Sequence, residues 1–303
     1  MTSTTPAAHD HHHARPGHGP APESDREFAE LLDLDAVHAA PFLREALLAA
    51  AAALGREPRE IVDLGAGTGT STVALANHFP EARVHALDAS PGMLERLRAS
   101  SIDTGVSSRV ETHLLNLDDN WPSVLPGSVD LAWAALSLHH TNDPARVLQQ
   151  TFALLRPGGV AVVSEFTGAT TYSPADLGTG RQSLADHLVK ALAARGYPVA
   201  PDWSEALTEA GFARIQRQET TISVSSATLD GARFLQLQLT LNRQLLANDL
   251  GSEDLVAVDA AIVSLASDRP AVAHKYYTSG RVFWVAVRPD GRGADTAATG
   301  VDR

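Results

Sequence analysis

Residues 61–70 read Ile61-Val62-Asp63-Leu64-Gly65-Ala66-Gly67-Thr68-Gly69-Thr70, and their reading decides the fold. A short apolar run enters a glycine-rich turn, and a helical segment, Thr70–Phe79, follows. Glycine tolerates the positive φ of such a turn and lets a ligand approach the backbone closely. The helix start adds unpaired N–H groups and the positive end of a dipole. A dinucleotide fingerprint has glycine at its first, third and sixth positions. Here Gly65 and Gly67 fill the first two, but Thr70 stands at the sixth. Asp63, just before the loop, would repel a pyrophosphate and suits a cationic ligand. Asp88 ends the next strand, where a carboxylate can accept hydrogen bonds from ribose hydroxyls.

Outward from this loop, strand and helix patterns alternate. Strands are expected at Ile61–Leu64, Arg83–Leu87, Val110–Leu115, Val129–Ala134 and Val160–Phe166, and helices at Thr70–Phe79, Pro91–Ser100 and Pro144–Leu155. Ser90 before Pro91 and Asp143 before Pro144 are N-caps ahead of proline at the first helical position. Alternation of this kind means a parallel sheet with helical crossovers. Upstream, Ser24 and Glu27 have capping-box spacing ahead of an apolar face of Phe28, Leu31 and Leu32, and a second helix runs from near Pro41 to Gly55. Downstream, a loop rich in Gly, Thr and Pro leads to a helix at Ser183–Ala194. A short helix capped by Asp202 and Glu205 follows, then a strand at Ile215–Val224 and helices at Gly231–Asn248 and Glu253–Ala266. The last strand, Val282–Val287, is apolar on both faces and is expected to be buried between neighbours. Residues 1–22, with His9, His11, His12, His13 and His18, read as a disordered tail, as do residues 290–303. A His-rich tract can bind metal, but nothing beside it completes a fixed site.

Composition excludes several functions. The 303 residues carry 24 Lys+Arg against 36 Asp+Glu, a net charge of −12. So acidic a chain disfavours nucleic acid and anionic membrane as partners. The absence of cysteine excludes disulfides, thiolate metal sites, Fe–S clusters and a cysteine nucleophile. The longest apolar run, Ala46–Leu54, is far short of the ~20 residues of a spanning helix. No signal-peptide pattern opens the chain, so a cytoplasmic location is expected.

Five blocks together resemble the class I S-adenosylmethionine-dependent methyltransferases. They are Val62–Gly69, His85–Leu94, Leu115–Asp119, Val129–His140 and Leu155–Gly159. The His-rich tail ahead of Glu30–Asp35 further resembles an actinobacterial subgroup and implies no substrate. The family resemblance implies an α/β fold: a seven-stranded, doubly wound, Rossmann-like sheet with N-terminal helices and a helical insertion between the last two strands. Its last strand would be antiparallel and inserted beside Ile215–Val224. The domain would occupy 23–289, with a cofactor core at 60–166 and substrate or lid segments at 167–201 and 229–269.

The resemblance also implies site roles, with S-adenosylmethionine as cofactor. Asp63, Gly65, Ala66 and Gly67 would hold its methionine part, and Asp88 the ribose. Ala89 and Met93 would lie beside the adenine, with Trp121 a further candidate wall or else core. Asn116, where the family often has Asp, and the backbone of Leu117 would meet the ring edge. Ala134 and Ala135 would line the path to the methyl group. His139 and His140 lie where a base could sit, His139 ahead of its neighbour; the alternative is that the pair only shapes the pocket. Arg181 and Tyr172 are candidate substrate contacts, with Tyr276 and Tyr277 weaker. No metal site is expected. The acceptor would be a small molecule or short peptide methylated on O or N. Asn-Pro-Pro-Tyr-type motifs of base-amino methylation are absent, Ala135-Leu136-Ser137-Leu138 standing there, and arsenic methylation would need thiols. An apolar stripe at Phe234, Leu237, Leu241 and Leu245 would form a lid, cover the sheet edge, or join two copies in a homodimer. An NAD-dependent oxidoreductase and a non-catalytic S-adenosylmethionine-binding protein are the alternatives.

Overall fold

The computed structural model describes residues 22–125, 127–266 and 274–290. The expected tails at 1–22 and 290–303 lie almost wholly outside these residues, as does the end of the 229–269 segment. The strands are β1 (Glu60–Leu64), β2 (Arg83–Asp88), β3 (Val110–Leu114), β4 (Val129–Ala135), β5 (Leu155–Ser173), β6 (Ala213–Ser225) and β7 (Tyr276–Val287). The helices are α1 (Pro22–His38), α2 (Ala40–Leu54), α3 (Thr70–His78), α4 (Pro91–Asp103), α5 (Pro144–Leu154), α6 (Leu184–Ala194), α7 (Ser204–Glu209), α8 (Leu229–Leu245) and α9 (Ser252–Leu265). The seven strands form one sheet in the order β3-β2-β1-β4-β5-β7-β6. β1 to β5 pair in parallel, while β7 runs antiparallel to both β5 and β6. The two-faced apolar run at the chain's end is therefore an interior strand, as its pattern requires.

Alternation along the central strands sends side chains to two cores. Val62, Leu64, Ala132, Ala134, Ala161 and Val163 pack with Val147 and Leu148 of α5. Ile61, Leu131, Trp133, Val160 and Val162 face α2 and α3 through Ala46, Leu47, Leu75 and Ala76. At the opposite end from the glycine loop, buried Asp130 accepts the backbone N–H groups of Arg59 and Glu60 at 2.7 and 3.0 Å and pairs with Arg56 and Arg156.

Two expectations change. α1 already includes Pro22, so Ser24 lies within the helix and not at its start. The loop expected after Phe166 is strand: Thr170–Ser173 pairs with Ser279–Tyr276 of β7 beyond an irregularity in register. Thr170, Thr171 and Tyr172 favour extended backbone, and the antiparallel partner supplies the ladder. These prolonged strands carry a third core, in which Tyr172, Ile222, Val224 and Tyr277 pack against α6, α8 and α9.

Candidate active site

β1 pairs with β2 on one side and β4 on the other, so the strand order reverses there. Ligands of open α/β sheets bind at such a switch point, outside the carboxyl ends of the strands. A cavity of about 650 Å³ opens there. The loop from Gly65 forms one wall, and three of its residues need φ values that favour glycine: +75° at Gly65, +54° at Gly67 and +95° at Gly69. A Cβ on Gly65 would fall 2.4 Å from that of Ser137, and one on Gly69 would fall 2.5 Å from Leu97. A Cβ on Gly67 would meet nothing within 4 Å, and that space is open to a ligand.

Asp88 is held in the cavity wall by two backbone donors. Gly67 N–H donates to Oδ2 and Ser90 N–H to Oδ1, each at 2.8 Å. Every carboxylate oxygen keeps a second lone pair for a ligand hydroxyl. Ala89, Met93, Asn116 and Leu117 continue the wall. Asn116 Oδ1 accepts the Asp118 N–H at 3.0 Å, so its amide is fixed locally. Asp63 does not line the cavity. It is buried behind the loop, accepts the Thr72 hydroxyl at 2.7 Å, and burial pushes its pKa up to about 7, with the charge of Asp88 adding to the rise.

Strand alternation separates the β4 pair: Ala135 lines the cavity with Trp133, whereas Ala134 points into the opposite core. Trp121 is core as well. The histidine order reverses. His140 lines the cavity, while His139 is turned away, its Nδ1 2.8 Å from Glu165 Oε2 and its ring centroid 4.1 Å from that of His140. His140 is exposed as a whole residue, but desolvation of its ring against the wall, helped by the neighbouring His139, lowers its pKa to about 4.

The expected substrate contacts lie elsewhere. Arg181 Nε donates to Asp254 of α9 at 2.7 Å, an ion pair joining the segment before α6 to α9. Tyr172 is buried, and its hydroxyl accepts from Asn242 of α8 at 2.8 Å. No described residue of 167–201 or 229–266 lines the cavity. The covering elements are α1 and α2, through Phe28, Leu32, Phe42 and Leu43. Sequence reasoning missed Asp35, Ser164 and Arg281, all in the wall. Arg281, 2% exposed, donates to Asp35 Oδ1 at 2.6 Å and to the Ser279 hydroxyl, with its guanidinium 4.1 Å above the Phe166 ring centre. The available signal was a lone arginine abutting a strand apolar on both faces.

Residues 62–161 match the family model described as a methyltransferase domain. The match covers about a third of the chain, from β1 to the start of β5. Over 159 residues the chain is 30% identical to a malonyl-[acyl-carrier protein] O-methyltransferase of Laribacter hongkongensis, covering 52% of this chain and 51% of that one. A trans-aconitate 2-methyltransferase of Methylobacterium radiotolerans is 40% identical over 106 residues, 35% of this chain and 37% of the relative. The chain thus spans about half or less of these curated relatives. A solved phosphoethanolamine N-methyltransferase 2 of Haemonchus contortus, in complex with S-adenosyl-L-methionine, is 19% identical with a TM-score of 0.46, over 80% of this chain and 52% of that one. The methyltransferase domain match begins one residue before Asp63 and contains Asp88, Asn116 and both histidines. The cavity residues Phe28, Asp35 and Arg281 lie outside it.

Proposed function

We propose that this chain transfers a methyl group from S-adenosylmethionine to an oxygen or nitrogen nucleophile of a small molecule. One observation carries the reading. A single cavity joins the Gly65–Gly67 loop, Asp88 and Leu117 to a second set of walls made by Phe28, Phe42, His140 and the Arg281–Asp35 pair. The open space at Gly67 and the two-donor clamp on Asp88 fit a nucleoside whose ribose accepts and donates hydrogen bonds beside the loop. When bound, the cofactor supplies a methyl group activated on a sulfonium. The chain aligns an acceptor against it and excludes water beneath α1 and α2. His140, uncharged near pH 7, is placed to take a proton from an acceptor hydroxyl or ammonium. Arg281 favours an acceptor bearing a carboxylate, because its planar fork of donors suits that group. Both curated relatives described above are named for acceptors that are acids or their thioesters, which agrees with that choice.

The test is calorimetric affinity for S-adenosylmethionine in the wild type and in Asp88→Ala, with release of S-adenosylhomocysteine measured across small acids, amines and phenols. Losing hydrogen bonds to a charged group costs ~1.5–3 kcal/mol, so Asp88→Ala should weaken binding roughly ten- to hundredfold. Stabilisation by NADH and none by S-adenosylmethionine would replace this reading with an oxidoreductase. Cofactor binding without product across the panel would leave a binding protein.

A further inference from the structure

The edge of the sheet formed by β1, β2 and β3 brings together residues that sequence spacing does not connect. In the parallel register His85 lies opposite Glu111 and Leu87 opposite His113. Side chains two apart on a strand share a face, so Glu111 and His113 flank His85 on one side of the sheet. His85 Nδ1 is 3.2 Å from His113 Nε2 and 3.6 Å from Glu111 Oε2, and His113 Nε2 is 3.8 Å from Glu111 Oε1. The other nitrogen of His85, Nε2, lies 3.0 Å from Glu60 Oε2 on β1. None of the four residues lines the cavity at the glycine loop.

We propose that His85, His113 and Glu111 form a binding site for a divalent cation of the zinc class, separate from the methyl-transfer site. The candidate ligand atoms lie within 4.8 Å of one another. Tetrahedral zinc with Zn–N bonds of ~2.0–2.1 Å holds two imidazole nitrogens about 3.3 Å apart, and the His85–His113 contact is already at that spacing. Glu60 supplies the outer contact that such sites use. By accepting the Nε2–H of His85 it fixes the tautomer and turns the Nδ1 lone pair toward the other ligands. His85 is 1% exposed and rigidly placed, whereas the Glu111 side chain is 53% exposed, leaving a path for an ion and a water as fourth ligand. The carboxylates of Glu60 and Glu111 balance the dication. Two imidazoles and one carboxylate suit zinc and its first-row neighbours rather than calcium or magnesium, which take oxygen ligands. A bound ion would staple β2 to β3 on the strand that ends in Asp88. The 3.2 Å contact between the rings requires a proton on one of them, and metal binding would displace it.

The experiment is thermal unfolding of the chelator-treated full chain with zinc chloride. A gain arising at the histidines of the tail would persist in His113→Ala, so that variant separates the two sources. At free zinc about 100-fold above Kd, the wild type should gain about 5–10 °C. His113→Ala should lose the gain, Glu111→Gln should reduce it, and magnesium chloride should give none. Glu111→Gln changes a half-exposed side chain, so its metal-free melting temperature should stay near that of the wild type. Absence of a zinc-induced gain in the wild type, or an equal gain in both variants, overturns the site.

Discussion

At the scale of single residues, two adjacent histidines have different surroundings. His140 lines the cavity although the residue as a whole is exposed, and partial desolvation of its ring with the neighbouring His139 lowers its pKa to about 4. His139, held by Glu165, packs its ring against it and fixes its position. A base with a lowered pKa stays unprotonated at neutral and mildly acidic pH, though it is a weaker base than an ordinary histidine. kcat/KM for the acceptor should therefore show no His140 limb near the ordinary histidine value of ~6.5, its loss appearing only toward pH 4. Replacing a positioned base typically costs ~10²–10⁴ in rate, so His140→Asn should lower kcat at least about a hundredfold. S-adenosylmethionine affinity should change little. Rates from pH 5 to 9 in both proteins decide the point, and a wild-type limb near 6.5 that vanishes in His140→Asn would contradict the lowered pKa.

At the scale of elements, the cover over the site is α1 with α2. α8 and α9 form the floor of a third core on the prolonged ends of β5, β6 and β7. Phe28 of α1 is 44% exposed yet reaches the cavity, while Leu237 of α8 is 1% exposed and does not. Phe28→Ala should leave the melting temperature nearly unchanged and raise the acceptor KM roughly five- to thirtyfold, the equivalent of a lost contact of 1–2 kcal/mol. Leu237→Ala should do the reverse, costing about 2–5 kcal/mol of stability with unaltered kinetics. Unfolding and acceptor kinetics on the two variants separate these roles, and altered KM in folded Leu237→Ala would return α8 to the site. The apolar stripe on α8 was legible because it reports that a face is buried. It does not report against what, and here the partners are Ile222 and Val224 of an expected strand together with Tyr172 and Tyr277 on strand ends that had not read as strand. The cofactor wall was legible for the opposite reason: Gly65, Gly67, Asp88 and Leu117 sit at fixed places on local strand–turn–helix units. Arg281 with Asp35, and His85 with His113, meet only through long-range pairing or packing that no local spacing encodes.

At the scale of the whole molecule, the glycine loop is tied to folding stability through Asp63. The folded chain holds this carboxyl in a dry site behind the loop, where burial and the charge of Asp88 outweigh the hydroxyl of Thr72 and raise its pKa from 3.8 to about 7. Between those values the folded chain keeps a proton that the unfolded chain has released. The unfolding free energy must then fall as pH rises through this window. The Asp63 contribution is fully present below about pH 4 and lost as pH passes 7, at up to ~1.4 kcal/mol per pH unit. The general repulsion of a chain with net charge −12 also grows with pH, but it acts alike on a variant at this one buried position. Asp63→Asn keeps an oxygen to accept the Thr72 hydroxyl and cannot ionise. Relative to the wild type it should therefore gain a few kcal/mol at pH 8 and nothing near pH 4. Urea unfolding at several pH values measures the difference between the two curves, and parallel curves would show that Asp63 does not titrate in the folded chain. A cationic ligand on the loop favours the carboxylate, so saturating S-adenosylmethionine should flatten the wild-type curve toward that of the variant.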